Sequence, residues 1–218
     1  MNTDVELQGF EQHGFGQQDS ELPAEFAAVA ADESDALARL HGKLASAAAA
    51  DGLLDVAYRV MDSPVGPLLL AGTDAGLVRV AFAREGHDAV LEQLATAISP
   101  RLLRAPARLD SAARELDEYF ARRRHSFNLA LDFRLAKGFR REVMAHLPEI
   151  GYGHTASYAA VAALTSSPRA VRAVGTACAR NPLPLVVPCH RVIRSDGSQG
   201  AYLGGADAKA LLLALESE

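Results

Sequence analysis

Asn181-Pro-Leu-Pro-Leu-Val-Val-Pro-Cys-His-Arg-Val-Ile-Arg194 is the most informative stretch of this 218-residue chain. Cys189 lies between Pro188 and His190, with Arg191 next, after a short apolar run. Proline fixes the local backbone, and an imidazole beside a thiol can draw off its proton and leave a nucleophilic thiolate. An isolated Cys-His pair would be better read as a small buried hydrophobe and a satisfied polar neighbour, because adjacent residues need not face each other. Haem attachment would need a second cysteine at position 186, which is Val, and a redox pair is poorly supported, since Cys178 is eleven residues away on an expected helix.

Working upstream, short helices with small residues dominate. Phe139, Val143 and Leu147 form a stripe at i, i+4, i+8, which predicts a helix over 138–147. A second is expected over 157–164. Ser167 reads as an N-cap with Pro168 at the first helical position of a third, running to about residue 179. The intervening Thr165-Ser-Ser167 gives the pair the outline of a helix-turn-helix, a weak signal by itself. Before residue 137 the pattern is different. Three β-rich runs, 55–61, 66–71 and 76–82, are separated by Ser63-Pro-Val-Gly66 and Gly72-Thr-Asp-Ala-Gly76 and predict an antiparallel meander. Helices over 87–98 and 111–123, the latter capped by Asp110, can cover one face. Alternation of Phe127, Leu129, Leu131 and Phe133 predicts one more short strand before a linker near 135–137. Residues 31–50, with Leu37, Leu40 and Leu44, read as a helix, and residues 1–30 as a disordered tail.

Apolar residues make up 49% of the chain, and no apolar run nears the roughly 20 residues that span a bilayer, so membrane functions are not expected. The polar, acidic start lacks the features of a signal peptide, which predicts a reducing cytoplasmic setting and two cysteines kept as thiols. Net charge is −5, but it is unevenly placed. Through Val56, eleven acids face only Arg39 and Lys43, leaving that segment at −9 and the remainder at +4. The basic part can meet a polyanion.

Pro188-Cys-His-Arg-Val192 resembles the active-site signature of the O6-alkylguanine-DNA alkyltransferases, the methylated-DNA-protein-cysteine methyltransferases. The resemblance extends from Ile150-Gly-Tyr-Gly through Ser157-Tyr158, Arg172-Ala-Val-Gly175 and Asn181-Pro182 to Gly197, Gly200, Tyr202-Leu-Gly-Gly205, Lys209 and Glu216. Asp62-Ser-Pro-Val-Gly-Pro-Leu68 likewise resembles part of the family's N-terminal domain. It implies an α/β fold class: an acidic extension over 1–52, a small ribonuclease-H-like α/β domain on an antiparallel sheet over 53–136, and a winged-helix-like domain with a helix-turn-helix over 137–218.

The resemblance further implies one-turnover transfer of an alkyl group from O6 of guanine in duplex DNA to Cys189, with the lesion flipped out of the stack. His190 would be the base, acting through a water, and Glu216 would hold its tautomer. Tyr158 would give a proton to the departing guanine and contact DNA, and Asn181 would brace the turn before the active-site cysteine. Arg172 would fill the vacated stack, with Ala170 and Ala173 letting its helix approach a groove. Val187, Pro184, Tyr202, Leu203 and Gly204 would form the lesion pocket. No cofactor and no metal are implied; the zinc held by some relatives is not expected, since both cysteines are C-terminal. A monomer acting on duplex DNA is expected. Residues 1–52 have no counterpart in the family core, Ala201 stands where many relatives have Gly or Asn, and Leu203 where some have a small or polar residue, which leaves the range of alkyl groups open. Two rivals stand beside this reading: a DNA lesion sensor that uses Cys189 alkylation as a signal, and a thiol hydrolase using Cys189 and His190 that would turn over repeatedly.

Overall fold

The structure is a computed structural model and describes residues 24–217. Helix α1 spans Ala24–Ala50 and therefore begins inside the segment expected to be a tail; the rest of that tail, 1–23, lies outside the described residues. Leu40 and Leu44 of the expected apolar stripe are exposed. The alanines bury instead: Ala45 and Ala48 pack with Leu54, Ala57 and Ala105 in a small cluster of their own.

Strands β1 (Val56–Met61), β2 (Leu68–Thr73) and β3 (Gly76–Phe82) form the expected meander. A fourth strand, β4 (Leu102–Arg104), joins it parallel to β1, giving the order β3-β2-β1-β4. Three residues are too few to show alternation, so the pattern could not announce it. Central β2 is buried on both faces, which is why Leu68-Leu-Leu-Ala71 reads as a continuous apolar run. Leu69 and Ala71 face α2 (His87–Ala97) with Val90 and Leu94, whereas Leu68 and Leu70 face the main core with Leu116 and Tyr119 of α3 (Asp110–Phe120).

At two places the structure departs from the local expectation. Asp110 is the first residue of α3 rather than its cap, and its carboxylate takes Arg59 at 2.7 Å. Among the described residues, 127–133 make only one bridge, Leu131 to Leu77, because just two backbone hydrogen bonds, from Leu77 N–H to Ala130 carbonyl and from Asp132 N–H to Leu77 carbonyl, reach the β3 edge.

Helices α4 (Phe139–His146), α5 (Tyr158–Ala163), α6 (Val171–Ala179) and α7 (Ala206–Glu216) build the C-terminal part, with a two-residue parallel pairing of β5 (Ala156–Ser157) and β6 (Val192–Ile193). Ser157 caps α5 by accepting from Ala160 N–H at 3.0 Å. α6 starts at Val171 rather than Pro168. Ser167 uses its carbonyl to close a turn onto Ala170 N–H at 2.9 Å, so Ala170 occupies the cap position. Among the described residues no helix is long and apolar enough to cross a membrane.

Candidate active site

The segment between α6 and β6 carries almost no regular structure, yet its polar groups are accounted for locally. Leu185 adopts a left-handed φ of 72° while 1% exposed, at the centre of a tight turn in which Val186 N–H donates to Pro184 carbonyl at 3.0 Å. A bulky residue held there is locally strained and persists only where its surroundings fix it. Asn181 supplies much of that fixing. Its Oδ1 accepts from Leu183 N–H at 2.9 Å, and its Nδ2 donates to Val187 carbonyl at 2.8 Å and lies 3.2 Å from Cys189 Sγ. Asn181 is fully buried, and the one side chain thus sets both the turn and a donor aimed at sulfur.

Cys189 opens a single helical turn, Cys189–Arg191, and is 2% exposed. Burial pushes its thiol up to about 11, opposed by the Asn181 hydrogen bond and by the charge of Lys209. The resting sulfur is therefore a neutral thiol. Burial also lowers the pKa of His190, so the neighbouring imidazole rests neutral as well. Its Nε2 lies 2.8 Å from Glu216 Oε1, at the last residue of α7. Burial opposes ionisation of Glu216, but hydrogen bonds from His190, Arg191 and Tyr119 outweigh it and hold the carboxyl at about 2. An ionised Glu216 can only accept, so Nε2 carries the ring proton and Nδ1 keeps its lone pair. Among the described residues that buried Nδ1 has no hydrogen-bond partner, which is where a base needs to be free.

Glu216 is the hub. Arg191 donates to it from Nε at 2.8 Å and from a terminal nitrogen at 3.0 Å, and to Ile150 carbonyl at 2.6 Å. Tyr119, from α3 of the sheet domain, donates its hydroxyl to Glu216 Oε1 at 2.7 Å. Gly153 N–H approaches Oε2 at 3.4 Å, and a Cβ on Gly153, whose φ is +73°, would lie 2.8 Å from Glu216 carbonyl. The sequence singled out Arg191 and Lys209 without giving either a task, and it missed Tyr119. The helical stripe marks Tyr119 as inward, but nothing in the pattern names a hydroxyl partner 97 residues on. Lys209 is fully buried and donates to Val192 carbonyl at 2.6 Å.

The remaining residues singled out by the sequence fall around this centre. Tyr202 stands edge-on to His190 at 6.2 Å between ring centroids and to Phe82 at 5.5 Å, with its hydroxyl buried and without a hydrogen-bond partner among the described residues. Tyr158 is half-buried at the start of α5. A Cβ on Gly200 would fall 2.2 Å from its hydroxyl, so any larger residue there would displace the Tyr158 ring. Gly204 packs against the Phe82 ring in the same way, and Pro184 and Val187 are buried in the core beside Cys189. Leu203 lines an adjoining hollow with Pro182 and Arg180. Ala170, Arg172 and Ala173 lie on the outer start of α6, away from the buried hub, with Arg172 exposed. The sheet domain reaches this loop through Val80 N–H to Pro182 carbonyl at 2.9 Å.

Two family models match: the 6-O-methylguanine DNA methyltransferase ribonuclease-like domain over residues 56–133 and the DNA-binding domain of the same proteins over 138–218. The methylated-DNA–protein-cysteine methyltransferase of Methanosarcina barkeri is 39% identical over 159 residues, covering 73% of this chain and 96% of the relative. The chain belongs to this family. The homologous protein of Mycolicibacterium paratuberculosis is 40% identical over 161 residues, 74% of this chain and 92% of its own. The crystal structure of the Mycobacterium tuberculosis O6-methylguanine methyltransferase is similar with a TM-score of 0.66 at 36% identity, over 74% of this chain and 93% of that one. The same organism's OGT in complex with DNA gives 0.64 at 35% identity, over 74% and 92%. The two-domain α/β architecture is thus that of the family.

Proposed function

We infer that this chain repairs O6-alkylguanine in duplex DNA by moving the alkyl group onto Cys189, once per molecule. Its family membership places it among DNA-repair alkyl transferases, and the observation that supports Cys189 as acceptor is the buried Asn181–Cys189–His190–Glu216 cluster. In this reading the thiol proton passes through a bridging water to His190 Nδ1. Sγ bonds to the alkyl carbon, the carbon–O6 bond breaks, and the guanine leaves with a proton from Tyr158. Glu216 stabilises the imidazolium so formed, as the carboxylate of a catalytic triad does. A resting neutral pair suits a protein that reacts once, since the thiolate arises only where a substrate is bound.

A base in the stack cannot bring its alkyl carbon to a sulfur that is 2% exposed, so the nucleotide must be flipped at a cost of a few kcal/mol. Arg172 on α6 would fill the gap. Tyr202, Val187, Pro184 and Gly204 would form the pocket, with Leu203 at its edge and Ala170 and Ala173 on the helix against the groove. The protein is proposed to act as a monomer, in the cytoplasm, where its two free thiols stay reduced. Arg172→Ala tests the flipping step: it should lose most activity on a lesion in duplex while reacting far better with free O6-benzylguanine. Equal losses on both substrates would remove Arg172 from that role.

A further inference from the structure

Lys137, Arg140 and Arg180 surround an open hollow of about 370 Å³ on the flank of α6, floored by Ala173, Thr176 and Ala177 and bordered by Phe139. Among the described residues, no acidic side chain lines it. Lys137 and Arg180 are exposed, and among the described residues their side chains have no hydrogen-bond or carboxylate partner. Arg140 is half-buried and spends one terminal nitrogen on Leu135 carbonyl, leaving the rest of its guanidinium to the hollow. Three cations converging without a counter-charge is costly through mutual repulsion unless an anion joins them. Thr176 turns its hydroxyl inward onto Arg172 carbonyl at 3.2 Å, so the floor offers small side chains and no competing anion.

The hollow is not isolated. A second one, about 320 Å³, shares Arg140 and Arg180 and runs past Pro182 to Leu203 at the edge of the lesion pocket. Its own acid, Glu85, is already paired with Arg79. Arg180 lies eight residues after Arg172, about 12 Å along a helix at 1.5 Å per residue. At about 3.4 Å per nucleotide of one strand, that is a reach of at most three to four nucleotides.

We propose that the Lys137–Arg140–Arg180 hollow is a phosphate site, which holds the DNA backbone a few nucleotides from the flipped guanine while α6 occupies the groove. This rests on the alkyl-transfer reading and adds to it a binding site outside the signature motif. The site supplies sequence-independent affinity and does no chemistry.

The test is the salt dependence of binding to an undamaged duplex. Removing one phosphate-binding cation should flatten the slope of log affinity against log salt by about 0.9. Arg180→Ala should flatten it by about that amount and Lys137→Ala/Arg180→Ala by about twice as much. Arg114→Ala, an exposed arginine of α3 outside the hollow, changes net charge equally and should leave the slope nearly unchanged. A double variant with the wild-type slope, or one no flatter than Arg114→Ala, overturns the site. Alkylation of Cys189 by a lesion-bearing duplex, followed in the wild-type protein, tests the underlying reading separately: its failure with a flattened slope would sink the reading and keep the phosphate site.

Discussion

The sheet domain and the C-terminal domain bury side chains for different purposes. Around β2 the buried residues are Leu68, Leu69, Leu70, Val78 and Val80, apolar groups whose value is the area they remove from water. Its two buried acids, Glu115 and Asp132, serve its edges, bonding Asn128 N–H and the Thr73 hydroxyl respectively. The C-terminal domain has an apolar core too, with Val143, Met144, Leu147 and Leu212, but adds to it a buried polar set, Asn181, His190, Arg191, Lys209 and Glu216, near Cys189. Burying ions costs several kcal/mol each unless they are paired and hydrogen-bonded, and replacing such a group by apolar packing is often neutral or stabilising. A network retained at that cost points to a task other than stability. Tyr119 connects the two regions: it belongs to the apolar core of the sheet domain through its ring and to the polar network through its hydroxyl.

The largest expected contrast is in reactivity. Cys189→Ser should abolish alkyl transfer and retain duplex binding, because a hydroxyl beside a neutral imidazole is a far weaker nucleophile. Cys178→Ser should transfer normally, burial holding that thiol high and uncharged. Labelling of Cys178 in the wild-type protein would break the comparison at its root.

Next in size is stability. Arg191→Ala leaves the Glu216 carboxylate buried without its bidentate partner, and removal of one member of a buried pair costs about 3 to 5 kcal/mol. Leu70→Ala in β2 should cost a similar amount, about 2 to 5 kcal/mol, through a cavity. Their chemistry should part company: well below the melting temperature of each variant, Leu70→Ala should retain near-normal transfer, whereas Arg191→Ala should not. Denaturant titration paired with single-turnover kinetics reads both.

Acid sensitivity should sort the same way. Glu216 is held at about 2 against an ordinary value of 4.5, so its stabilisation is complete above pH 4.5 and is lost as pH falls through 2. His190 is depressed, so native stability already declines as pH drops below the unfolded value of 6.5 and protonation favours the open chain. Urea midpoints between pH 7 and 2 should therefore fall in two stages, and Glu216→Gln should flatten the lower one. An unchanged lower stage would mean that other carboxylates govern acid unfolding.

How far the sequence announced each region follows from what carried its signal. The meander was legible as β-rich runs punctuated by glycine-containing turns, and α2 and α4 because apolar side chains repeat at the helical period. Cys189, His190 and Glu216 were legible only through motif resemblance, since Glu216 looks like a solvated tail residue in one dimension and becomes 4% exposed in three. The start of α6 and the role of Asp110 were misplaced by one to three residues because Ser, Pro and Asp signal turns as readily as caps. The packing of Ala45 and Ala48 was hidden by the louder Leu40 and Leu44. It has a small, checkable consequence: removing residues 1–39 should leave the melting temperature of the remaining protein almost unchanged, whereas removing 1–52 should lower it by a few degrees as the Ala45–Ala48–Leu54 cluster opens. Equal melting of both truncations would make that cluster energetically silent.

The central claim, that the buried polar network exists to make Cys189 an alkyl acceptor, is tested most directly by incubating the protein with a duplex containing O6-methylguanine and mapping the peptides by mass spectrometry. One added methylene per chain, confined to the peptide of Cys189 and reaching a plateau at one equivalent of lesion, is the result predicted. Repeated turnover, or a methyl group found elsewhere, would contradict it.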